Sequence, residues 1–176
     1  MESLGCYVSG FDPNSFKGVP AQCPGFQARV TARAVTRYYN AFFKPLSLTA
    51  EQFSLLVGIG VAKGATVAEL AGSAGVDATT LSRNIQNLEG RGLVRAEGGR
   101  GRAGKRLSLT NSGRRLLVEA LPMWEQAKAE LSKRMGDKKL QSARRAMSDL
   151  AEAAGVSVWA APELRPKKDL NRRQRG

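Results

Sequence analysis

The strongest constraint on the fold is a change of hydrophobic period near Gly92. Before it, apolar residues recur every three or four positions, the spacing of amphipathic helices. After it, the stretches 93–95 and 106–109 alternate as half-buried strands do, with a glycine-rich segment between them. The chain is therefore predicted to pass from a set of short helices into a β-hairpin.

Capping residues mark the helices that precede the hairpin. Thr49 with Gln52 and Thr66 with Glu69 match the capping-box pattern, and Asp77 is a typical N-cap. They predict helices over 49–61, 66–75 and 78–90. Two short helices joined by a tight turn and followed by a hairpin predict a winged helix-turn-helix, whose second helix enters the DNA major groove.

Longer helices are predicted on both sides of this unit. Pro24 suits the first turn of a helix that Pro45 ends, while Thr110 caps a long helix that Pro122 is expected to bend. The last helix begins at 137 and places apolar residues at alternating three- and four-residue steps. This seam is typical of helices that pair with another helix; its members are Leu140, Ala143, Met147, Leu150 and Ala154.

Composition narrows the function classes. The formal net charge of +13 predicts a polyanionic partner, most often nucleic acid and less often an anionic membrane surface. The chain has no histidine, which excludes His-based catalytic triads and His metal ligands. Its two cysteines, Cys6 and Cys23, lack metal-ligand spacing. No catalytic residue, metal site or cofactor is predicted.

The segment from Gly99 to Lys105 matches two nucleotide-binding motifs, G-x-G-x-x-G and most of G-x-x-x-x-G-K-[ST]. Both motifs hold phosphates at the start of a helix that follows a strand. Here a strand pattern follows instead, and Arg106 replaces the Ser or Thr that would hold magnesium. A nucleotide-dependent enzyme is therefore disfavoured, and a screen for ATP or NAD binding tests it.

The helix over 78–90 is predicted to bury Leu81, Ile85 and Leu88 and to present hydrogen-bonding side chains on its other face. Such side chains reach base edges or phosphates, and arginines in the hairpin tip can enter a narrow minor groove. A solvated helix face with a flexible basic turn is the alternative interpretation. The predicted DNA-binding residues are Thr79, Thr80, Ser82, Arg83, Gln86, Arg100, Arg102, Lys105 and Arg106.

The run VAELAGSAGVDATTLSRNIQNLEGRGLVR, followed by a basic hairpin that ends in LSLTNSG, resembles the MarR family of bacterial transcription regulators. The resemblance covers roughly residues 23–152. It implies a homodimer that binds a palindromic operator in double-stranded DNA and that a ligand or an oxidant releases. The chain departs from the family where many members carry Asp-x-Arg in the wing, because Gly101, Arg102 and Ala103 stand there.

With the resemblance, the predicted fold class is mainly α, a winged helix-turn-helix whose N- and C-terminal helices form a dimerisation layer. Residues 1–22 are predicted to be a flexible arm and residues 156–176 a basic, disordered tail. The winged helix domain spans 23–155. Its DNA-binding part covers about 49–110, and its dimerisation helices cover about 24–45 and 111–155.

Two triggers for release are predicted. Cys23 lies at the start of the first long helix, where the helix dipole favours the reactive thiolate; the resemblance includes regulators that use a cysteine there as an oxidant sensor, and an inert cysteine is the alternative. The other trigger is an aromatic or carboxylate ligand in a pocket that the resemblance implies. Its aromatic residues are Tyr38, Tyr39, Phe42, Phe43, Phe53 and Trp124, with Arg29, Arg33 or Arg37 as counter-ion. The alternatives are that the aromatic residues belong to the core and that the three arginines form a solvated or phosphate-facing stripe.

The function predicted is a homodimeric, cytoplasmic DNA-binding transcriptional regulator, most simply a repressor, with no membrane role. A sequence-nonspecific nucleic-acid-binding protein is the alternative. Competition with random DNA distinguishes them, because a regulator holds one palindrome far more tightly than other sequences.

Overall fold

A computed structural model of the protein describes residues 10–62, 64–74, 76–98 and 104–156. Two short 3-10 turns, Pro13–Phe16 and Lys44–Leu46, accompany the helices and strands. The helices are α1 (Val19–Gln22), α2 (Pro24–Phe43), α3 (Ala50–Ala62), α4 (Val67–Ala74), α5 (Ala78–Gly90), α6 (Asn111–Met135) and α7 (Asp137–Ala153), and the strands are β1 (Val94–Glu97) and β2 (Arg106–Leu109).

The predicted helix starts are confirmed by their hydrogen bonds. At α3 the Thr49 hydroxyl accepts from the Gln52 backbone N–H, and the Gln52 side chain accepts from the Thr49 N–H, both at 3.1 Å. At α4 the Glu69 carboxylate accepts from the Thr66 N–H at 2.7 Å, and the Thr66 hydroxyl accepts from the Glu69 N–H. These reciprocal bonds satisfy N–H groups that have no partner inside the helix.

Helix α5 ends in a Schellman turn at Gly92, which has a φ of +67°. The Leu93 N–H donates to the Leu88 carbonyl and the Gly92 N–H donates to the Glu89 carbonyl. Glycine adopts this left-handed conformation without the steric cost of a Cβ. The turn sends the chain directly into β1, which runs two residues further than the sequence predicted.

The two strands form an antiparallel hairpin in which Val94 pairs with Leu109 and Glu97 with Arg106. On its other side, β2 contacts the segment before α4: Thr66 bridges to Arg106, and the Leu107 N–H donates to the Ala65 carbonyl. The wing is therefore attached to the start of α4.

A single apolar core joins α3, α4, α5, the hairpin and α6. Burial of these side chains is the main stabilising term of the unit. Helix α2 reaches this core near its C-terminal end, through buried Phe43 and partly buried Tyr39. The largest fully buried side chains are Phe43, Leu56, Ile59, Leu88 and Leu107.

The start of α6 is pressed against the end of α5. The Thr110 hydroxyl accepts from the Gly113 N–H at 3.0 Å and donates to the Gly92 carbonyl at 2.7 Å. A Cβ on Gly113 would lie 2.1 Å from the Leu93 carbonyl oxygen. Only a residue without a side chain fits at this contact.

The terminal helices leave apolar residues exposed. In α7 none of the residues is buried, and Met147 and Leu150 are 52% and 43% exposed. The N-terminal half of α2 likewise exposes Phe26 and Val30. Within the segment predicted to be an arm, Pro13–Phe16 and Val19–Gln22 form helical turns, because Asp12 caps the first and Pro20 suits the start of the second.

No single helix among the described residues is long and apolar enough to span a membrane. The bent pair Pro24–Leu46 and Ala50–Ala62 passes the same test of length and composition only when taken together, with an angle of 78° between its members.

Candidate nucleic-acid interface

The N-terminus of α5 is fixed by Asp77. Its carboxylate accepts hydrogen bonds from the backbone N–H groups of Thr79 and Thr80, each at 2.9 Å. The Thr80 hydroxyl also donates to this carboxylate. Led by the Thr80 hydroxyl, these bonds hold the pKa of Asp77 below its ordinary value of 3.8, because they favour the charged form.

Helix α5 separates an apolar face from a polar one, as predicted. Leu81, Ile85 and Leu88 are buried in the core. Of the predicted DNA-binding residues on this helix, four are exposed and one, Ser82, is half-buried. The helix therefore presents hydroxyl, guanidinium and amide groups to solvent; the exposed residues are Thr79, Thr80, Arg83 and Gln86.

Thr80 differs from the other three in its contacts. Its hydroxyl is bonded to Asp77 and its side chain lines a cleft beside the helix. Its hydroxyl therefore serves the start of α5 as well as any ligand that approaches it.

The predicted wing residues fall into two groups. Lys105 and Arg106 are exposed at the loop end of the hairpin, where Arg106 pairs with Glu97, whereas Arg100 and Arg102 lie outside the described residues. Arg106 donates from Nη1 to the Gly64 carbonyl at 2.8 Å. Its guanidinium therefore attaches the wing to the loop before α4.

The sequence did not point to a further arginine of the wing, Arg95. Arg95 on β1 lies 3.0 Å from the Glu97 carboxylate and donates to the Ser108 hydroxyl at 3.0 Å. All three side chains are solvent-accessible, so the ion pair adds little to stability. The signal that could have found it is the spacing of two, which puts Arg95 and Glu97 on one face of a strand.

A cleft of about 530 Å³ lies between α5 and the helices α2, α3 and α6. Of the predicted pocket residues, Tyr39, Phe43, Phe53 and Trp124 line it. Its polar groups come from several elements: Thr36 and Tyr39 from α2, Glu51 and Ser54 from α3, and Thr80 and Asn84 from α5. Partial burial raises the pKa of the Tyr39 hydroxyl, because removal from water disfavours the phenolate.

The remaining predicted pocket residues are absent from the cleft lining. The Tyr38 hydroxyl donates to the Ala127 carbonyl at 3.0 Å, and the Arg134 guanidinium lies 5.5 Å from the Tyr38 ring centroid. Phe42 packs on Tyr38 with ring centroids 5.2 Å apart. Arg29, Arg33 and Arg37 are exposed on α2. Tyr38 and Phe42 therefore occupy the side of α2 that contacts α6.

Cys23 is half-buried and is the residue at which α2 begins. A Cβ placed on Gly25 would lie 3.8 Å from the Cys23 Sγ and 3.6 Å from Arg29 Nη1. The thiol and the guanidinium therefore flank the same position. Cys6, the other thiol, lies outside the described residues.

Comparisons with known proteins agree with this architecture. The family model for the MarR family matches residues 46–103. The M. tuberculosis transcriptional regulator MosR is 35% identical, with a TM-score of 0.68 over 77% of this chain and 98% of that one. MosR has also been solved in complex with DNA; that structure has 35% identity and a TM-score of 0.68 over 76% of this chain and 97% of that one.

A third structure supports the fold alone. The transcriptional repressor CouR, bound to p-coumaroyl-CoA, is 24% identical with a TM-score of 0.66 over 77% of this chain and 96% of that one. A search of proteins with curated functions finds no match.

Proposed function

The chain belongs to the MarR family of transcriptional regulators, as its motifs predicted, and from this we propose that it is a homodimeric DNA-binding regulator. In this proposal it acts as a repressor on a palindromic operator. The observation that carries the proposal is α5, whose buried apolar face and exposed polar face belong to a winged unit of a chain 35% identical to MosR, a protein solved with DNA.

The proposed contacts follow from the chemistry of α5 and the wing. Arg83 and Gln86 donate to base edges or phosphates in the major groove. The shorter side chains of Thr79 and Ser82 add hydrogen bonds from their hydroxyl groups. Lys105 contacts the phosphate backbone from the wing. For Arg100 and Arg102 the proposal rests on the sequence, which places them in the tip of the hairpin.

A second copy of the chain is proposed to cover the exposed apolar residues of α2 and α7. Two α5 helices then meet half-sites about one DNA turn apart, so the spacing between the two helices decides whether both bind. An effector releases the DNA if it favours the mis-spaced arrangement by a few kcal/mol.

Selection of duplexes from a random-sequence pool tests this function directly. We expect the purified full chain to enrich an inverted repeat and to hold it far more tightly than random DNA. Arg83→Ala should lower that preference about tenfold or more, the typical worth of one base-contacting arginine. Arg145→Ala removes an equally exposed arginine from α7 and is the matched control.

Each result of the selection decides the proposal. Equal binding to all duplexes would exclude the specific regulator and favour the sequence-nonspecific binder. No binding to any duplex would exclude both.

Arg102→Ala should weaken operator binding and reduce its salt dependence by about one phosphate contact. If Arg102→Ala binds the operator as tightly as the wild type at every salt concentration, Arg102 is not one of the contacts.

The effector is proposed to be either a small ligand in the cleft or an oxidant at Cys23. In the second case the thiol reduces hydrogen peroxide to water and becomes a sulfenic acid. Release of the selected duplex by peroxide should then disappear in Cys23→Ser. If a panel of aromatic carboxylic acids releases the duplex instead, Ser54→Phe should abolish the effect, because it fills the cleft from an exposed position.

A further inference from the structure

Four polar residues connect the start of α3 to α2 and to the end of α5. Gln52 is at their centre and uses both ends of its side-chain amide. Its Oε1 accepts from the Thr49 N–H at 3.1 Å and from Arg91 Nη1 at 3.3 Å, and its Nε2 donates to Asn87 Oδ1 at 3.0 Å. This cluster, here called the α3 clamp, comprises Asn40, Gln52, Asn87 and Arg91.

The α3 clamp also reaches the long helix α2. Asn40 Oδ1 accepts a hydrogen bond of 2.7 Å from the Ala50 N–H, at a partly buried position. Ala50 is the first residue of α3, so its N–H has no partner inside that helix. A side chain of α2 thus caps the same helix end that Gln52 ties to α5.

These bonds constrain α5 in a way that its apolar face does not. Packing of Leu81, Ile85 and Leu88 is non-directional, so it permits small rotations and slides of the helix. Hydrogen bonds are directional and weaken steeply with misalignment. The bonds from Gln52 to Asn87 and Arg91 tie the C-terminal end of α5 to α3, whereas the bonds that Asp77 accepts at the other end come from α5 itself.

We infer that Gln52 is a positioning residue that sets the orientation of α5 for DNA. This inference rests on the proposed DNA-binding function. Gln52 itself contacts the recognition helix and not the DNA in this assignment. Because Gln52 is half-buried and its partners Asn87 and Arg91 are exposed, variants of Gln52 can be made without opening the core.

Gln52 also caps α3. The effect of losing its capping bond must therefore be separated from the effect of losing its bonds to Asn87 and Arg91. Thr49→Ala is the matched control. It removes the hydroxyl that accepts from the Gln52 N–H at 3.1 Å, and thus half of the same capping box. It leaves the Gln52 side chain with its bonds to Asn87 and Arg91. Thr49→Ala therefore shows what a weakened start of α3 does while the bonds to α5 are kept.

The first measurement is the ratio of affinities for a selected duplex and a random duplex. Gln52→Ala should lower this ratio about tenfold, whereas Thr49→Ala should leave it within about twofold. Gln52→Glu should restore it, since a carboxylate accepts from Thr49 and Arg91 and a turned Asn87 amide can donate to it. Equal ratios for Gln52→Ala and Thr49→Ala, or no rescue by Gln52→Glu, would overturn the inference.

The second measurement needs no DNA. Hydrogen exchange reports the bonds that close the end of α5, from the Arg91 N–H to the Asn87 carbonyl and from the Gly92 N–H to the Glu89 carbonyl. Exchange at these amides should be about fivefold faster in Gln52→Ala than in Thr49→Ala, the equilibrium worth of one net hydrogen bond. Equal exchange would overturn the clamp. If the wild-type chain selects no duplex, the proposed function fails, and this measurement still decides whether Gln52 orients α5.

Discussion

Helices α5 and α7 carry the same kind of amphipathic pattern, yet only α5 buries its apolar face within the chain. In α5 the apolar residues Leu81, Ile85 and Leu88 are buried within the chain. In α7 no residue is buried, and Met147 and Leu150 remain exposed. The winged unit thus completes its own core, whereas the terminal helices present apolar surface that a second copy is proposed to cover. Stability and assembly are therefore expected to respond to mutations in different parts of the sequence.

The largest effect is expected in the closed core. Leu88→Ala removes a fully buried side chain next to the Schellman turn and should lower the free energy of unfolding by about 3 kcal/mol. Urea unfolding at one fixed protein concentration measures it, because the stability of a dimer depends on concentration. Val118→Ala, at a side chain that is 72% exposed, should change stability by less than about 0.5 kcal/mol. Similar losses in both variants would contradict the comparison.

Mutations in the exposed apolar face of α7 should change dimer formation. Leu150→Glu places a charge on the exposed apolar face of α7 and should raise the dimer dissociation constant at least about tenfold, measured by sedimentation. Gln141→Glu adds the same charge to an exposed position away from the seam and is the control. If both variants sediment as the wild type does, α7 does not form the interface.

The junction between α2 and α6 should show an intermediate effect. Tyr38→Phe removes the hydroxyl that donates to the Ala127 carbonyl and should cost about 1 kcal/mol of unfolding free energy. Tyr39→Phe is the neighbouring control, since the described residues provide no hydrogen-bond partner for the Tyr39 hydroxyl. A loss in Tyr39→Phe as large as that in Tyr38→Phe would assign the effect to the ring environment instead.

The smallest effect is expected from acid at the start of α5. The pKa of Asp77 is lowered in the folded state, chiefly by the Thr80 hydroxyl, so its contribution is complete above its ordinary value of 3.8. That contribution is lost as the pH falls through the depressed pKa, because the unfolded chain then binds the proton more readily. Asp77→Asn keeps a capping oxygen but does not titrate. Thermal melts as a function of pH should therefore show a steeper acid loss for the wild type, and parallel curves would falsify this account.

Local features of the fold were predictable from the sequence, and long-range polar contacts were not. The capping residues Thr49, Thr66 and Asp77 act within three positions of themselves, so their helix starts could be identified without any tertiary information. The bond from Arg106 to the Gly64 carbonyl and that from Arg91 to Gln52 join residues about forty positions apart. No spacing rule connects such pairs.

The aromatic residues of α2 illustrate the same limit at the cleft. Tyr38, Tyr39, Phe42 and Phe43 alternate around the helix, so both of its sides are aromatic and periodicity cannot tell which one faces the cleft. The structure puts Tyr39 and Phe43 in the cleft lining and turns Tyr38 towards Ala127. The neighbouring helices decide between the two sides.

The close approach of Gly113 to the Leu93 carbonyl has a consequence for how the sequence tolerates change. This residue offers no functional group to any ligand, yet a methyl group there would overlap the backbone where the Schellman turn meets β1. In a deep mutational scan, position 113 should accept only glycine, as strictly as any DNA-contacting residue. Such intolerance would reflect the fixed angle between the wing and the long helix, and it would be misread if invariance were equated with binding.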